Sequence, residues 1–149
     1  SMDHLKLSID AMNLPLGDLT ALLANLRYRL EPRLKAAGIE LNWAVDQMPF
    51  MQCFDATAMK HLQFIVYEAI SNTLQHSGAT SLKVELKRKE EGGVQLRIID
   101  NGCGFVLDQV KQKQLSTLKE RAKALHAVFV LSSEPGQTVV QLTWPAGLD

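Results

Sequence analysis

Apolar residues recur along this chain with two different periods, and the switches between them divide it into elements. Leu19, Leu22, Leu23, Leu26 and Leu30 fall on one face at helical spacing. Ahead of them Pro15-Leu16-Gly17-Asp18 reads as a turn that delivers an N-cap at Asp18. Pro32 has no backbone N–H and is expected to end or kink this helix near 29–31, with Leu34 resuming the pattern until Gly38. The period then drops to two. Ile39-Glu40-Leu41-Asn42-Trp43-Ala44-Val45 alternates as a strand with one buried face does. Asp55 is the next N-cap, opening a longer helix whose buried stripe is Met59, Leu62, Ile65, Val66, Ala69, Ile70 and Leu74. Gly78 lies just past its end. Two strands follow, about 82–87 and 94–100, and the short Glu91-Gly92-Gly93 connection predicts an antiparallel hairpin. A polar stretch over 107–114 precedes a helix over about 115–126. Two last strands, 128–133 and 139–144, flank Glu134-Pro135-Gly136-Gln137. Helices gathered on one face of a mixed, mostly antiparallel sheet make a two-layer α+β sandwich. Residues 1–17 have little periodicity and are expected to be a tail or linker, which leaves 18–149 as the domain.

Composition narrows the function classes. A chain of 149 residues buries enough apolar surface for one domain without a disulfide or structural metal. Cys53 and Cys103 are too few and too widely spaced for a disulfide framework or metal site, so reduced thiols are expected. Sixteen basic residues balance sixteen acidic ones, which weighs against a nucleic-acid surface. The cluster Lys83, Lys87, Arg88 and Lys89 is interrupted by Glu85 and followed by Glu90 and Glu91, the pattern of a solvated strand end. No apolar run approaches the ~20 residues of a membrane-spanning helix, so no direct membrane contact is expected. Ser1-Met2 reads as a scar ahead of an excised domain, which implies a longer parent protein with a membrane or sensory part.

Two features carry candidate chemistry. Glu68, Asn72 and His76 lie at i, i+4 and i+8, one face of the second helix. That face is either an exposed polar stripe or a carboxylate and amide oxygen presented to Mg²⁺, which prefers oxygen ligands and keeps waters. Ile98-Ile99-Asp100-Asn101-Gly102-Cys103-Gly104-Phe105 is an apolar strand that ends in an acid and two alternate glycines. It is either a tight turn or a place where Asp100 accepts a hydrogen bond from an amine while the glycines admit a flat ligand. It is neither a Walker A loop nor a helix-opening GxGxxG fingerprint.

Taken together the features resemble the Bergerat-fold ATPases. Glu68-Ala69-Ile70-Ser71-Asn72-Thr73-Leu74-Gln75-His76 resembles their N box, and Asp100-Asn101-Gly102-Cys103-Gly104-Phe105 their G1 box. Lys119-Glu120-Arg121-Ala122-Lys123-Ala124-Leu125 is similar to the helix after the ATP lid, and Ser133-Glu134-Pro135-Gly136-Gln137-Thr138 to the last glycine-containing turn. The lead-in, from Asp18-Leu19 to Ala37-Gly38-Ile39-Glu40-Leu41, looks like the nitrate-sensor-like branch of sensor histidine kinases. The resemblance implies an ATP- and Mg²⁺-binding catalytic domain that phosphorylates a histidine. In it Asp100 would accept the adenine amine, with Gly102 and Gly104 accommodating the base. Asn72 would ligate Mg²⁺, and Glu68 would orient a water or assist proton transfer. His76 and Leu115 would lie near the nucleotide, and Thr138 on its phosphate side.

The sequence departs from the family pattern around the lid. Gln112 and Gln114 stand where two lid glycines belong, His126-Ala127 where a Gly-Gly pair is usual, and Gln75 where a basic residue is frequent. Adenine and metal groups are therefore expected to be kept while the triphosphate clamp is altered. An interaction-only module with weak or no ATP binding is the alternative, and a serine kinase of the anti-sigma-factor type ranks below both. The segment Asp108–Gln114 has few apolar anchors and is expected to be mobile. No His-x-x-x-Asp/Glu-Arg pattern occurs, so the phosphoacceptor and dimerisation helices are expected upstream in the parent. This piece is expected to be a monomeric, cytoplasmic domain that does not phosphorylate itself alone, with a response regulator as a further partner.

Overall fold

A computed structural model describes residues 17–47, 54–76, 78–90, 92–102 and 109–145, with the side chains of 76 and 109–111 outside that set. Its elements are α1 (Leu19–Ala36), β1 (Glu40–Val45), α2 (Ala56–His76), β2 (Ser81–Arg88), β3 (Val94–Asp100), α3 (Gln109–Ala124), β4 (Val128–Glu134) and β5 (Gln137–Trp144). Both expected N-caps form: Asp18 Oδ1 accepts the Ala21 N–H and Asp55 Oδ1 the Ala58 N–H, each at 2.9 Å. The leucine stripe of α1 is buried from Leu19 to Leu34.

Three boundaries differ from the sequence expectation. The first helix runs through Pro32 instead of ending or kinking near 29–31. Leu30 and Leu34, on either side of the proline, are both fully buried. At about 1.5–3 kcal/mol per leucine, that burial offsets a proline penalty of about 3 kcal/mol. The third helix begins at Gln109, six residues before Leu115, so 109–114 form a helical turn and a half where the sequence reads as a polar stretch; Asp108 lies outside the described residues. Gln-Val-Lys-Gln-Lys-Gln contains no breaker, whereas a glycine at 112 or 114 would cost about 1 kcal/mol each. The last strand starts at Gln137, two residues early, because Glu134 pairs with Gln137 across a two-residue turn. Gly136, at φ +89, supplies the positive φ that this corner needs.

The strands form one sheet in the order β1-β2-β3-β5-β4. β1 and β2 are parallel and the other pairs antiparallel, including the expected β2–β3 hairpin. Register aligns Trp43, Val84, Ile98, Val140 and Leu131 in an apolar row beneath the helices. The adjacent row, Leu41, Leu82, Asp100, Thr138 and Ser133, turns polar halfway across. On the outward face Glu85 receives Lys83 at 3.3 Å, Lys87 at 3.4 Å and Arg97 at 3.7 Å. Partial burial pushes the Glu85 carboxyl up, but the hydrogen bonds and charges of Lys83 and Lys87 outweigh it and hold it below the usual range. Among the described residues no helix is long and apolar enough to cross a membrane.

Candidate functional site

Where the second row turns polar, the sheet offers a carboxylate to the helix above it. Asp100 ends β3 and is only 8% exposed. A buried carboxylate needs compensating donors, and two converge on it. The Thr73 hydroxyl of α2 donates to Oδ2 at 2.9 Å, and the Gly102 N–H donates to Oδ1 at 2.9 Å. Thr73 is itself 2% exposed, and its Oγ1 also lies 3.3 Å from the Ala69 carbonyl oxygen. The helix feature and the strand feature of the sequence, 27 residues apart, thus meet through one hydrogen bond.

Loops around this point are tied down by side chains that belong to the scaffold. Asn101 Oδ1 accepts the N–H groups of Thr80 and Ser81 at 2.9 and 3.0 Å, and its Nδ2 donates to Thr80 Oγ1 at 2.9 Å. Asn101 therefore fastens the exit of β3 to the entry of β2. The Gly136 N–H donates to the Gly102 carbonyl at 3.0 Å and joins the β4–β5 turn to the same loop.

The other candidates take distinct places. Asn72 immediately precedes Thr73 and is half-buried, as is Glu68 one turn earlier on the same face. His76 ends α2 with its side chain outside the described residues, and Gly104 lies outside them altogether. Leu115 is half-buried in α3, with Gln112 exposed and Gln114 half-buried on the same helix. Thr138 is the cross-strand neighbour of Asp100, 7% exposed, with Oγ1 3.5 Å from Ser133 Oγ. Strand register puts it there, since Asp100 and Thr138 face the same side of paired strands. Thr73 and Ser133 were missing from the expected set. Thr73 had a signal: it falls at i+4 from Ala69 and i+3 from Ile70, on the buried face, where a hydroxyl must find a partner.

A second polar group lies at the other end of α2. Phe54, Asp55, Ala58, His61, Leu125 and His126 line a solvent-open hollow of about 210 Å³ between the start of α2 and the end of α3. Arg121 Nη1 donates to His61 Nδ1 at 3.3 Å and stacks over the Phe64 ring at 3.8 Å. Burial, then the Arg121 charge, lowers the His61 pKa, against an opposing pull from Asp55. Trp144 Nε1 donates to the Leu125 carbonyl at 3.0 Å, and its ring meets Phe54 edge-on at 5.6 Å. His126, at φ +59, takes the left-handed position after α3, with the Ala127 N–H reaching back to the Ala122 carbonyl at 3.0 Å. Among the described residues no three His, Cys, Asp or Glu side chains group as a metal site.

Comparison with known proteins gives this geometry a context. Residues 57–148 match the family described as histidine kinase-, DNA gyrase B- and HSP90-like ATPase. The sensor histidine kinase LiaS of Bacillus subtilis is 34% identical over 114 residues, 74% of this chain and 30% of LiaS. The chain spans less than a third of the length of the curated relatives it matches. Among solved structures, the histidine kinase domain of the blue-light-activated kinase EL346 from Erythrobacter litoralis superposes with a TM-score of 0.76 at 15% identity, covering 96% of this chain and 79% of that one. Full-length ShkA, solved in complex with AMPPNP, gives 0.70 at 20% identity over 89% of this chain and 31% of its own.

Proposed function

The chain belongs to the histidine kinase-, DNA gyrase B- and HSP90-like ATPase family, and on that premise we propose that it is the ATP-binding catalytic domain of a sensor histidine kinase. One observation carries the reading: Asp100, a buried acceptor at a strand end, is joined through Thr73 to the helix that bears Asn72 and Glu68. A base-recognition group and a set of oxygen donors are thereby held at a fixed spacing. Phosphoryl transfer asks for that, because positioning and charge neutralisation do most of its work.

Within this proposal Asp100 accepts the exocyclic amine of adenine, and Thr138, its cross-strand neighbour, borders the same base end. Gly102, pinned by Asp100 Oδ1 and by Gly136, shapes the loop against the base, with Gly104 beyond it. The donor set suits Mg²⁺: an amide oxygen and a carboxylate one turn apart are hard ligands, too few for a protein cage. Asn72 would hold the ion with Glu68 orienting a water or assisting proton transfer, while His76 and Leu115 border the nucleotide. Bound Mg²⁺ would neutralise phosphate charge. The phosphoacceptor is a histidine on the dimerisation helices of the parent protein, with a response regulator as the next acceptor and the cytoplasm as the compartment. Residues 18–149 form the domain in this reading, and 1–17 lead into it.

Isothermal titration of the folded domain with ADP and Mg²⁺ tests the proposal. Binding at or below the millimolar range is expected, weakened by Asn72→Ala. A folded domain that takes up no nucleotide at millimolar concentration would sink the reading and favour an interaction-only module.

A further inference from the structure

We propose that Thr73 is a positioning residue that makes Asp100 selective for a 6-amino purine, an inference that rests on the nucleotide reading above. A carboxylate terminus turns in a broad, two-fold torsional well, so an untethered Asp does not hold its plane. In this protein the plane is fixed at both ends: Thr73 donates to Oδ2 and Gly102 to Oδ1, each at 2.9 Å. Each carboxylate oxygen offers about two acceptor sites, and one on each is taken by these donors. What remains for a ligand is acceptor capacity alone, in a fixed direction, within a site where Asp100 is 8% exposed and Thr73 is 2% exposed. An amine satisfies it. A ring carbon bearing only hydrogen leaves an acceptor unmet, and a carbonyl oxygen opposes it outright.

The tether also has a mechanical consequence. Thr73 directly follows Asn72 on α2, whereas Asp100 belongs to β3. The helix and the strand share the apolar core, and this hydrogen bond joins them at the candidate groups themselves. Its hydroxyl has one hydrogen and two nearby acceptors, Asp100 Oδ2 at 2.9 Å and the Ala69 carbonyl at 3.3 Å. The shorter of the two contacts is the one to Asp100, so the hydroxyl hydrogen is donated to its Oδ2. Thr73→Val keeps the shape and the β-branch while removing the donor. Asp100 then loses one of its two restraints and gains rotational freedom.

The test is a comparison of two ligands on four proteins. Wild type, Thr73→Val, Thr73→Ala and Thr73→Ser are titrated with ADP and with the diphosphate of purine riboside, which lacks the 6-amino group, both with Mg²⁺. The expected result is a loss of about 10-fold in ADP affinity for Thr73→Val and Thr73→Ala. Affinity for the deamino analogue stays unchanged, so the discrimination ratio falls by the same factor, and Thr73→Ser restores it. If Thr73→Val does not fold, the Ala variant decides. Equal losses for both ligands would mean a merely structural role and overturn the proposal, as would unchanged ADP binding. A wild-type domain that binds neither ligand would instead sink the nucleotide reading, and this inference with it.

Discussion

About 25 Å of helix separates Asp55, at the start of α2, from Asn72 and Thr73 near its end. Both ends combine a carboxylate, further polar groups and apolar packing, and the Asp55 end borders a solvent-open hollow. The difference lies in what the polar groups are bonded to. At the Asp55 end they terminate helices: Asp55 caps α2, Trp144 holds the Leu125 carbonyl, and His126 occupies the left-handed exit of α3. At the other end Asp100 caps no helix. Two donors orient it, and it keeps acceptor capacity to spare inside the fold. A concavity lined by titratable side chains is weak grounds for a binding site when those side chains already have backbone duties.

The sharpest way to break this comparison is to neutralise one carboxylate at each end. Asp100→Asn replaces the carboxylate acceptor with an amide and should lower ADP affinity by roughly 30- to 150-fold, the ~2–3 kcal/mol of a charged hydrogen bond. Asp55→Ala should cost about 1 kcal/mol of stability as a lost N-cap and leave ADP affinity within about twofold. Titration and thermal melting of the same two variants check both. Nucleotide binding that follows Asp55 instead of Asp100 would reverse the assignment.

Trp144→Phe tests the Asp55 end from inside. It keeps an aromatic ring against Phe54 but withdraws the donor from the Leu125 carbonyl, which is then buried without a partner. The expected destabilisation is about 1–3 kcal/mol, roughly 3–8 °C in Tm, with ADP affinity unmoved. His126→Gly should act with the opposite sign. A non-glycine residue at positive φ costs about 1–2 kcal/mol, and the added freedom of glycine in the unfolded chain takes back about half. A gain of about 2 °C in Tm is expected. A loss would mean that the imidazole makes a contact worth more than the strain.

These two variants also mark what the sequence could and could not reveal. Helix caps at Asp18 and Asp55, the leucine stripe and the β2–β3 hairpin were legible because each depends on neighbours within a few residues. Resemblance to a family supplied the two site motifs, but not the residue that connects them, since the Thr73–Asp100 contact joins positions 27 apart. The pairing that seats Thr138 beside Asp100 is a property of two strands together and is not legible in either one alone. The stretch 109–114 contains no glycine and only helix-compatible residues, and the helix extends through it. Likewise His126 had the look of a lost glycine. The chain keeps the glycine-like conformation there and accepts the strain.

The smallest expected effect concerns pH at the Asp55 end. His61 Nδ1 accepts from Arg121, which needs the unprotonated ring, and burial with the Arg121 charge lowers its pKa despite Asp55. In the unfolded chain the same imidazole titrates near about 6.5. Between that value and the lower folded one, the unfolded state binds more protons than the native state. Stability therefore falls as the pH drops from about 6.5 through that window, and it is fully retained above it. The pair is half-exposed and screened, so a difference of only about 1 °C in Tm is expected between pH 7.5 and 5.5. His61→Gln keeps an acceptor for Arg121 but cannot titrate, and its Tm should fall less across the same interval. Glu85, whose carboxyl is also lowered, loses its contribution only at more acidic pH and does so equally in both proteins. Superimposable wild-type and His61→Gln profiles would show that Arg121 is held by Phe64 alone. An ADP affinity that tracked the same titration would mean the two ends of α2 are coupled.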